Sequence, residues 1–161
     1  MKLQKNSRLA LYAVLEFAAR PDELVAASEV AARHGESAHH LAKVLAELVR
    51  AGIIESVRGV GGGYRFVGNA RRLTLLDVIR LFEDLDADTR SLIVHDAPID
   101  QALQLVLSEV DETTIATFGS ITVSTMLAMV RRAASGRPAQ GAGRAAERGA
   151  RRGPALRLRR R

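Results

Sequence analysis

Apolar side chains recur at helical spacing in three stretches of the N-terminal half of the chain. Pro21 ends the first stretch, and Gly35 and Gly52 follow the other two as C-terminal glycines. Ser37 precedes the third stretch as a candidate N-cap. The pattern predicts helices over residues 6–20, 27–35 and 38–52. The last two, joined by a short turn, have the form of a helix-turn-helix.

The hydrophobic period then changes from helical spacing to alternation. The runs "IIESV" (Ile53–Val57) and "GYRFV" (Gly63–Val67) alternate as β-strands do, and the stretch "RGVGGGYRF" carries the glycine-rich loop between them. A helix-turn-helix followed by a β-hairpin is the winged form of this DNA-binding module. We therefore expect a wing whose tip is this glycine-rich loop.

Beyond the hairpin the pattern returns to helices. Thr74 and Asp77 resemble a capping box, which predicts a helix that runs to about Glu83. After an acidic loop, Pro98 suits the first turn of a long helix that extends to about residue 118. This helix carries its apolar residues on one side, namely Ile99, Leu103, Val106, Leu107 and Val110. A second subunit is the usual cover for such a stripe, so we expect a homodimer.

These elements predict a mainly α fold with a small β-hairpin. We expect a winged helix-turn-helix domain over residues 1–84 and an acidic linker loop with dimerisation helices over 85–134. From about Ser135 the chain is rich in Arg, Ala, Gly and Pro, so residues 135–161 are predicted to be a disordered basic tail.

Charge is unevenly distributed behind the net value of +6. Basic side chains outnumber acidic ones in residues 1–72, and acidic ones predominate in residues 73–130. Residues 131–161 hold eleven arginines and one glutamate. This distribution indicates polyanion binding in the first part of the chain, although an ordinary solvated surface is the alternative.

Composition excludes several classes of protein. The chain has no cysteine, so disulfides, thiolate zinc sites and all-cysteine iron–sulfur centres are excluded. It has no signal-peptide pattern and no apolar run of about 18 residues, so we expect a cytoplasmic protein without a membrane partner. No catalytic motif is present, and we predict that the protein is not an enzyme.

The glycine-rich loop does not fit a nucleotide-binding motif. Counted from Gly59 and Gly61, the third glycine of a dinucleotide fingerprint falls on Tyr64, and a strand follows where the fingerprint needs a helix. The chain also lacks the Gly-Lys-Ser/Thr ending of a P-loop. Two interpretations stay open, a wing that contacts DNA and a structural turn. Arg58 and Arg65 favour the wing.

No metal site is predicted from the acidic and histidine clusters. Asp84, Asp86 and Asp88 imitate a calcium loop, but that loop would need a glycine and a glutamate where Thr89 and His95 stand. His39 and His40 point about 100° apart on a helix and cannot chelate together. A site that joins His34 or His95 to them is the alternative. No cofactor is expected.

From "SAHHLAKVLAELVRAGIIESVRGVGGGYRF" the chain resembles a known family. It is similar to the winged-helix bacterial transcription regulators that include IscR, NsrR and CymR, the Rrf2 family. The resemblance covers about residues 1–118 and is most specific in the wing. It implies a homodimeric regulator, usually a repressor, that binds a partly palindromic operator in double-stranded DNA.

The resemblance also implies DNA-binding residues. Ser37, His39, His40 and Lys43 occupy positions at which the recognition helix of the family meets DNA. Arg58 matches the wing arginine that enters the minor groove. We include the neighbouring wing positions in the predicted DNA-binding set, namely Gly59, Gly61, Gly62, Tyr64 and Arg65.

Two departures from the family pattern matter. Ala42 and Lys43 stand where the IscR type has a carboxylate and an amide that select bases, so the operator sequence does not transfer. The three cysteines of cluster-binding members are absent, and Arg8 stands near where an acidic ligand can complete the NsrR-like site. We therefore predict a cluster-free regulator whose signal comes from a small-molecule effector, a protein effector or the abundance of the regulator alone.

A second hypothesis belongs to another functional class. The winged fold could serve as a protein–protein interaction adaptor whose working face is the acidic part of the chain, residues 73–130. Salt separates the two hypotheses, because binding driven by phosphate contacts weakens steeply as salt rises.

Overall fold

The computed structural model describes residues 3–85 and 98–136. Within these ranges the chain is mostly helical and has one two-stranded antiparallel hairpin, as the sequence predicted. The elements in chain order are α1 (Lys5–Ala19), α2 (Ala27–Arg33), α3 (Ala38–Arg50), β1 (Ile54–Val57), β2 (Gly63–Phe66), α4 (Leu75–Ile79), α5 (Pro98–Ser120) and α6 (Val123–Ala134).

The chain forms two compact units that divide between Leu127 and Ala128. The core and the candidate site lie in the first unit. The domain boundaries at residues 84 and 134 remain predictions.

Several sequence predictions fall on residues that the structure does not describe. The acidic loop beyond Leu85, with Asp86, Asp88 and His95, lies outside the described ranges. So does the predicted basic tail, apart from Ser135 and Gly136.

The core lies between α1, α2, α3 and the hairpin. The apolar stripe predicted for α3 faces inward, with Leu41, Val44, Leu45 and Leu48 at most 2% exposed. Phe17 of α1 is fully buried among them. Burial of each large side chain stabilises the fold by roughly 1.5–3 kcal/mol, so this cluster fixes the angle at which α3 is held.

The predicted helix ends around the turn are confirmed. The Ser37 hydroxyl accepts a hydrogen bond from the His40 N–H at 3.1 Å and so caps α3. Gly35 and Gly52 have φ values of 66° and 70°, the left-handed conformation that favours glycine after a helix. These ends give a short, well-defined turn between α2 and α3.

The hairpin has the predicted antiparallel form. Its register pairs Ile54 with Phe66 at the base and Val57 with Gly63 near the tip. Val25 adds a bridge to Tyr64 on the other side of β2, with hydrogen bonds of 2.9 and 3.0 Å. A Cβ on Gly63 would come within 2.7 Å of the Val25 carbonyl oxygen, so this approach requires a glycine.

The capping box of α4 is confirmed, but the predicted length of this helix is wrong. The Thr74 hydroxyl accepts from the Asp77 N–H at 3.1 Å, and the Asp77 carboxylate accepts from the Thr74 N–H at 2.8 Å. The helix ends at Ile79, not near Glu83. Beyond it the chain continues in turns, and the Glu83 carboxylate bonds instead to the Ser7 hydroxyl of α1.

α5 is described from Pro98 to Ser120, and none of its residues is buried. None of the described helices is both long and apolar enough to cross a membrane.

α6 was not predicted from the sequence as a helix separate from α5. Its first turn packs into the core of the winged helix through Val123 and Leu127. The backbone before it is bonded to the start of α4, since the Leu75 N–H donates to Ile121 O and the Val123 N–H to Leu73 O, both at 2.9 Å. α6 therefore closes the core from the far end of the unit.

Candidate nucleic-acid interface

The exposed face of α3 carries most of the predicted reading residues. Ser37, His39 and Lys43 are exposed, and Ala42 and Ala46 lie between and beyond them on the same side. Lys43 makes no ion pair with any residue that the structure describes. Two small alanines beside a free ammonium and an imidazole give a surface on which DNA can approach the helix closely.

His40 is held at the edge of this face. Its Nε2 lies 2.7 Å from the Asn6 Oδ1 of α1, and its Nδ1 lies 3.5 Å from the Glu36 carboxylate. A hydrogen bond from Lys5 lowers the pKa of Glu36, and the charge of His40 adds to this effect. His40 is therefore positioned between α1 and α3, whereas His39 is exposed.

The glycines shape the tip of the wing. Gly59 and Gly61 have φ values of 109° and 76°, which side chains rarely allow. The Gly62 N–H donates to Gly59 O at 3.0 Å and closes the turn, and a Cβ on Gly62 would meet Val57 O at 2.3 Å. The tip is thus a tight turn whose backbone leaves no room for a side chain at Gly62.

The two arginines that flank this loop have different environments. Arg65 pairs with Glu55 across the hairpin, with a distance of 3.0 Å from its Nε to the Glu55 Oε1. Arg58 is exposed and has no hydrogen bond or ion pair from its side chain within residues 3–85 and 98–136. Of these two arginines, Arg58 is therefore the one whose guanidinium group is free to contact a DNA phosphate or enter a groove.

Two other wing residues, Tyr64 and Val60, differ in how far their side chains are exposed. Tyr64 is half-buried and stacks on Phe17 of the core, with 6.0 Å between ring centroids. Val60, which the sequence analysis did not include, has a relative exposure of 111% at the tip of the hairpin. The glycines on either side of Val60 could have indicated this exposure from the sequence, because they have no side chains for Val60 to pack against.

Asn6 was also missed, and no local signal identifies it. It lies 34 positions before His40 in the sequence, and only the packing of α1 against α3 brings the two side chains together.

A family profile described as "Rrf2: Iron-dependent Transcriptional regulator" matches residues 3–129. The chain belongs to the Rrf2 family. The resemblance found in the helix-turn-helix and the wing is thereby confirmed, and this Rrf2 protein is a DNA-binding transcription regulator. A regulatory role, not an enzymatic one, agrees with the names of its relatives.

Relatives and solved structures agree with this assignment. The chain is 48% identical over 130 residues to BadM of Rhodopseudomonas palustris, named as an HTH-type transcriptional regulator, covering 81% of this chain and 83% of BadM. It is similar to the structure of CymR, the global cysteine regulator of B. subtilis, with a TM-score of 0.69 and 21% identity over 80% of this chain and 98% of that one. It is similar to IscR of T. potens with a TM-score of 0.65 and 25% identity over 88% and 94% of the two chains. These likenesses show the winged-helix fold.

The description of the family names iron, and the donor set of this Rrf2 protein does not fit a thiolate-bound iron centre. The sequence contains no cysteine. Among the residues that the structure describes, no group of three or more histidine or acidic side chains could hold a metal ion. His34 and His40 are instead placed against the carboxylates of Glu16 and Glu36.

Proposed function

We propose that this Rrf2 protein is a homodimeric repressor that binds a partly palindromic operator without an iron–sulfur cluster. α3 lies in the major groove, and the wing follows the phosphate backbone or enters the minor groove. The observation that carries the proposal is the pair of free cations, Lys43 on the exposed face of α3 and Arg58 beside the wing tip. Each stands on an element that a winged helix-turn-helix presents to DNA.

The exposed stripe of α5 supports the homodimer. Ile99, Leu103, Val106 and Val110 are between 50% and 76% exposed and follow one another at spacings of four, three and four residues. An apolar stripe of this length is costly to leave in water, and a twofold partner buries the same stripe of both copies. A twofold dimer in turn places two α3 helices on two half-sites, which is why the operator is expected to be partly palindromic.

The repressor assignment rests on the family resemblance. A dimer that occupies an operator within a promoter excludes other proteins from the same DNA. Since the chain has no cysteine to hold a cluster, we propose that repression is relieved by a small molecule, by a protein effector or by a change in the abundance of the regulator.

The first experiment uses the wild-type protein to select bound DNA from a random pool. The affinities of the wild type and of Arg58→Ala for the selected sequences are then compared. We expect this variant to bind every selected sequence about tenfold more weakly and to lower the salt slope by about one, because a guanidinium contact to the backbone is lost. Changes at His39 or Lys43 should instead alter which sequences are selected.

Arg65→Ala is the matched control, because it removes an arginine from the same hairpin that is paired with Glu55. We expect a much smaller loss for it. Equal affinities of Arg58→Ala and the wild type for the selected site would refute the wing assignment. Salt-insensitive binding to a protein, with no DNA selected, would favour the adaptor hypothesis.

A further inference from the structure

A cleft of about 340 Å³ lies between α1 and the turn that precedes the recognition helix. Lys5, Arg8, Leu9 and Tyr12 of α1 form one side of it. The end of α2 and the turn form the other side. The cleft is thus next to Ser37, which caps α3.

The cleft carries an excess of positive charge. Arg33 pairs with Glu16 and Glu29, and Lys5 pairs with Glu36 at 2.8 Å. Arg8 is exposed and has no ion pair or side-chain hydrogen bond in the part of the chain that the structure describes. The charge of Arg8 still reaches Glu36 and helps to lower the pKa of that carboxyl, after the larger effect of the hydrogen bond from Lys5. One guanidinium therefore faces the cleft without a partner.

Two aromatic side chains and one apolar side chain also line the cleft. The rings of Tyr12 and His34 stack 4.4 Å apart and are parallel to within 2°. Leu9, only 2% exposed, lies beside them. A cleft that combines a free guanidinium with a flat aromatic wall complements an organic acid, because the fork of arginine binds a carboxylate through two hydrogen bonds.

We propose that this cleft binds a small organic carboxylate, with the carboxylate on Arg8 and the organic part against Leu9 and the Tyr12–His34 pair. A phosphate of bound DNA is the other anion that could reach Arg8. It is less suited to the cleft, since it would leave the aromatic wall without a contact.

The cleft is connected to the recognition helix through two adjacent residues of α1. Lys5 holds Glu36, which also approaches His40 Nδ1 at 3.5 Å, and Asn6 holds His40 Nε2 at 2.7 Å. A ligand carboxylate on Arg8 adds negative charge beside Lys5 and Glu36, which line the same cleft, and so changes the electrostatic environment at the start of α3. The bound acid thereby alters operator affinity, and this last step rests on the proposed function.

The binding step is tested without DNA. Hexanoate and phenylacetate are titrated into the full-length protein while the ring resonances of Tyr12 and His34 are followed by NMR, with inorganic phosphate and hexanol as comparison probes. We expect saturable shifts for at least one acid with a Kd of about 1 mM or tighter, and none for hexanol. Arg8→Gln should weaken binding at least tenfold, whereas Arg71→Gln, an exposed arginine outside the cleft, should not.

Arg8→Lys keeps the charge without the fork and should bind with intermediate affinity, which separates lost recognition from a folding defect. With the selected operator, a saturating acid should change the affinity of the wild type and not that of Arg8→Gln. No shift from either acid at about 10 mM would overturn the proposal. A loss of operator affinity in Arg8→Gln, with phosphate and acids equally weak, would assign Arg8 to the DNA backbone instead. Operator binding by the unliganded wild type tests the proposed function separately.

Discussion

Residues of the same type play different parts in this interface because their neighbours differ. Arg58 and Arg65 flank one loop, yet Glu55 engages Arg65 and leaves Arg58 free. His39 and His40 are adjacent, yet Asn6 and Glu36 hold only His40. A contact with DNA is expected where the side chain has no competing partner within the protein.

Val60 gives a prediction at the same scale. An isopropyl group in the minor groove tolerates A·T pairs but desolvates the N2 amino group of guanine. Replacing G·C pairs under the wing by I·C pairs, which lack that group, should strengthen wild-type binding by about threefold to tenfold. Val60→Ser should remove this gain. Gel shifts with matched duplexes measure it.

Val67→Ser is the control, since Val67 is half-exposed beyond β2 and away from the tip. It should keep the gain from inosine. If the wild type does not respond to inosine while Arg58→Ala is still weak, the wing lies on the backbone and Val60 has no part in reading.

The sequence could predict which residues were candidates but not which were engaged. Asn6, one of the two partners of His40, stands 34 positions away from it, and Glu55, the partner of Arg65, stands 10 positions away. Periodicity and local motifs contain no information on these pairs. The packing of α1 on α3 and the register of the hairpin create them.

At the scale of elements, local signals marked the helix boundaries, with the end of α4 as the exception. Ser37 and Thr74 each mark a helix start that the structure has, because an N-cap depends on residues that are close in sequence. The predicted end of α4 near Glu83 was wrong, because the helix ends at Ile79 and the chain continues in turns. α6 was not predicted as a separate helix, because its few apolar residues form a recognisable stripe only where they pack against the core.

The stripe on α5 yields the prediction for this scale. Leu103→Glu places a carboxylate at the centre of the proposed dimer seam, where burial of an unpaired charge is costly. We expect the dissociation constant of the dimer to rise by roughly 100-fold or more. Analytical ultracentrifugation over a concentration series measures this change.

Glu112→Lys changes charge on the opposite side of the same helix, as its position relative to Leu103 at about 100° per residue indicates. It should leave the dimer intact. A dimer that tolerates Leu103→Glu would show that the two copies meet through another surface or that the protein is monomeric.

The whole first unit depends on contacts between distant parts of the chain. The bridge between Thr74 and Thr122 joins the start of α4 to the start of α6, and Val123 is fully buried behind it. The core beneath α3 is therefore not complete without α6.

Val123→Ala tests this dependence. It removes two buried methyl groups and should lower the free energy of unfolding by about 2 kcal/mol. Val130→Ala on the same helix, where the side chain is 51% exposed, should change it by less than about 0.5 kcal/mol. Urea unfolding of the two variants compares their effects, and equal effects would contradict the role given to α6.

The same bridge has a consequence for synthesis on the ribosome. Its two residues are separated by about fifty positions along the chain, so the helix-turn-helix and wing emerge well before the segment that completes their core. Contacts of such separation slow folding. The nascent chain thus completes the core beneath α3 only after residue 127 has left the exit tunnel.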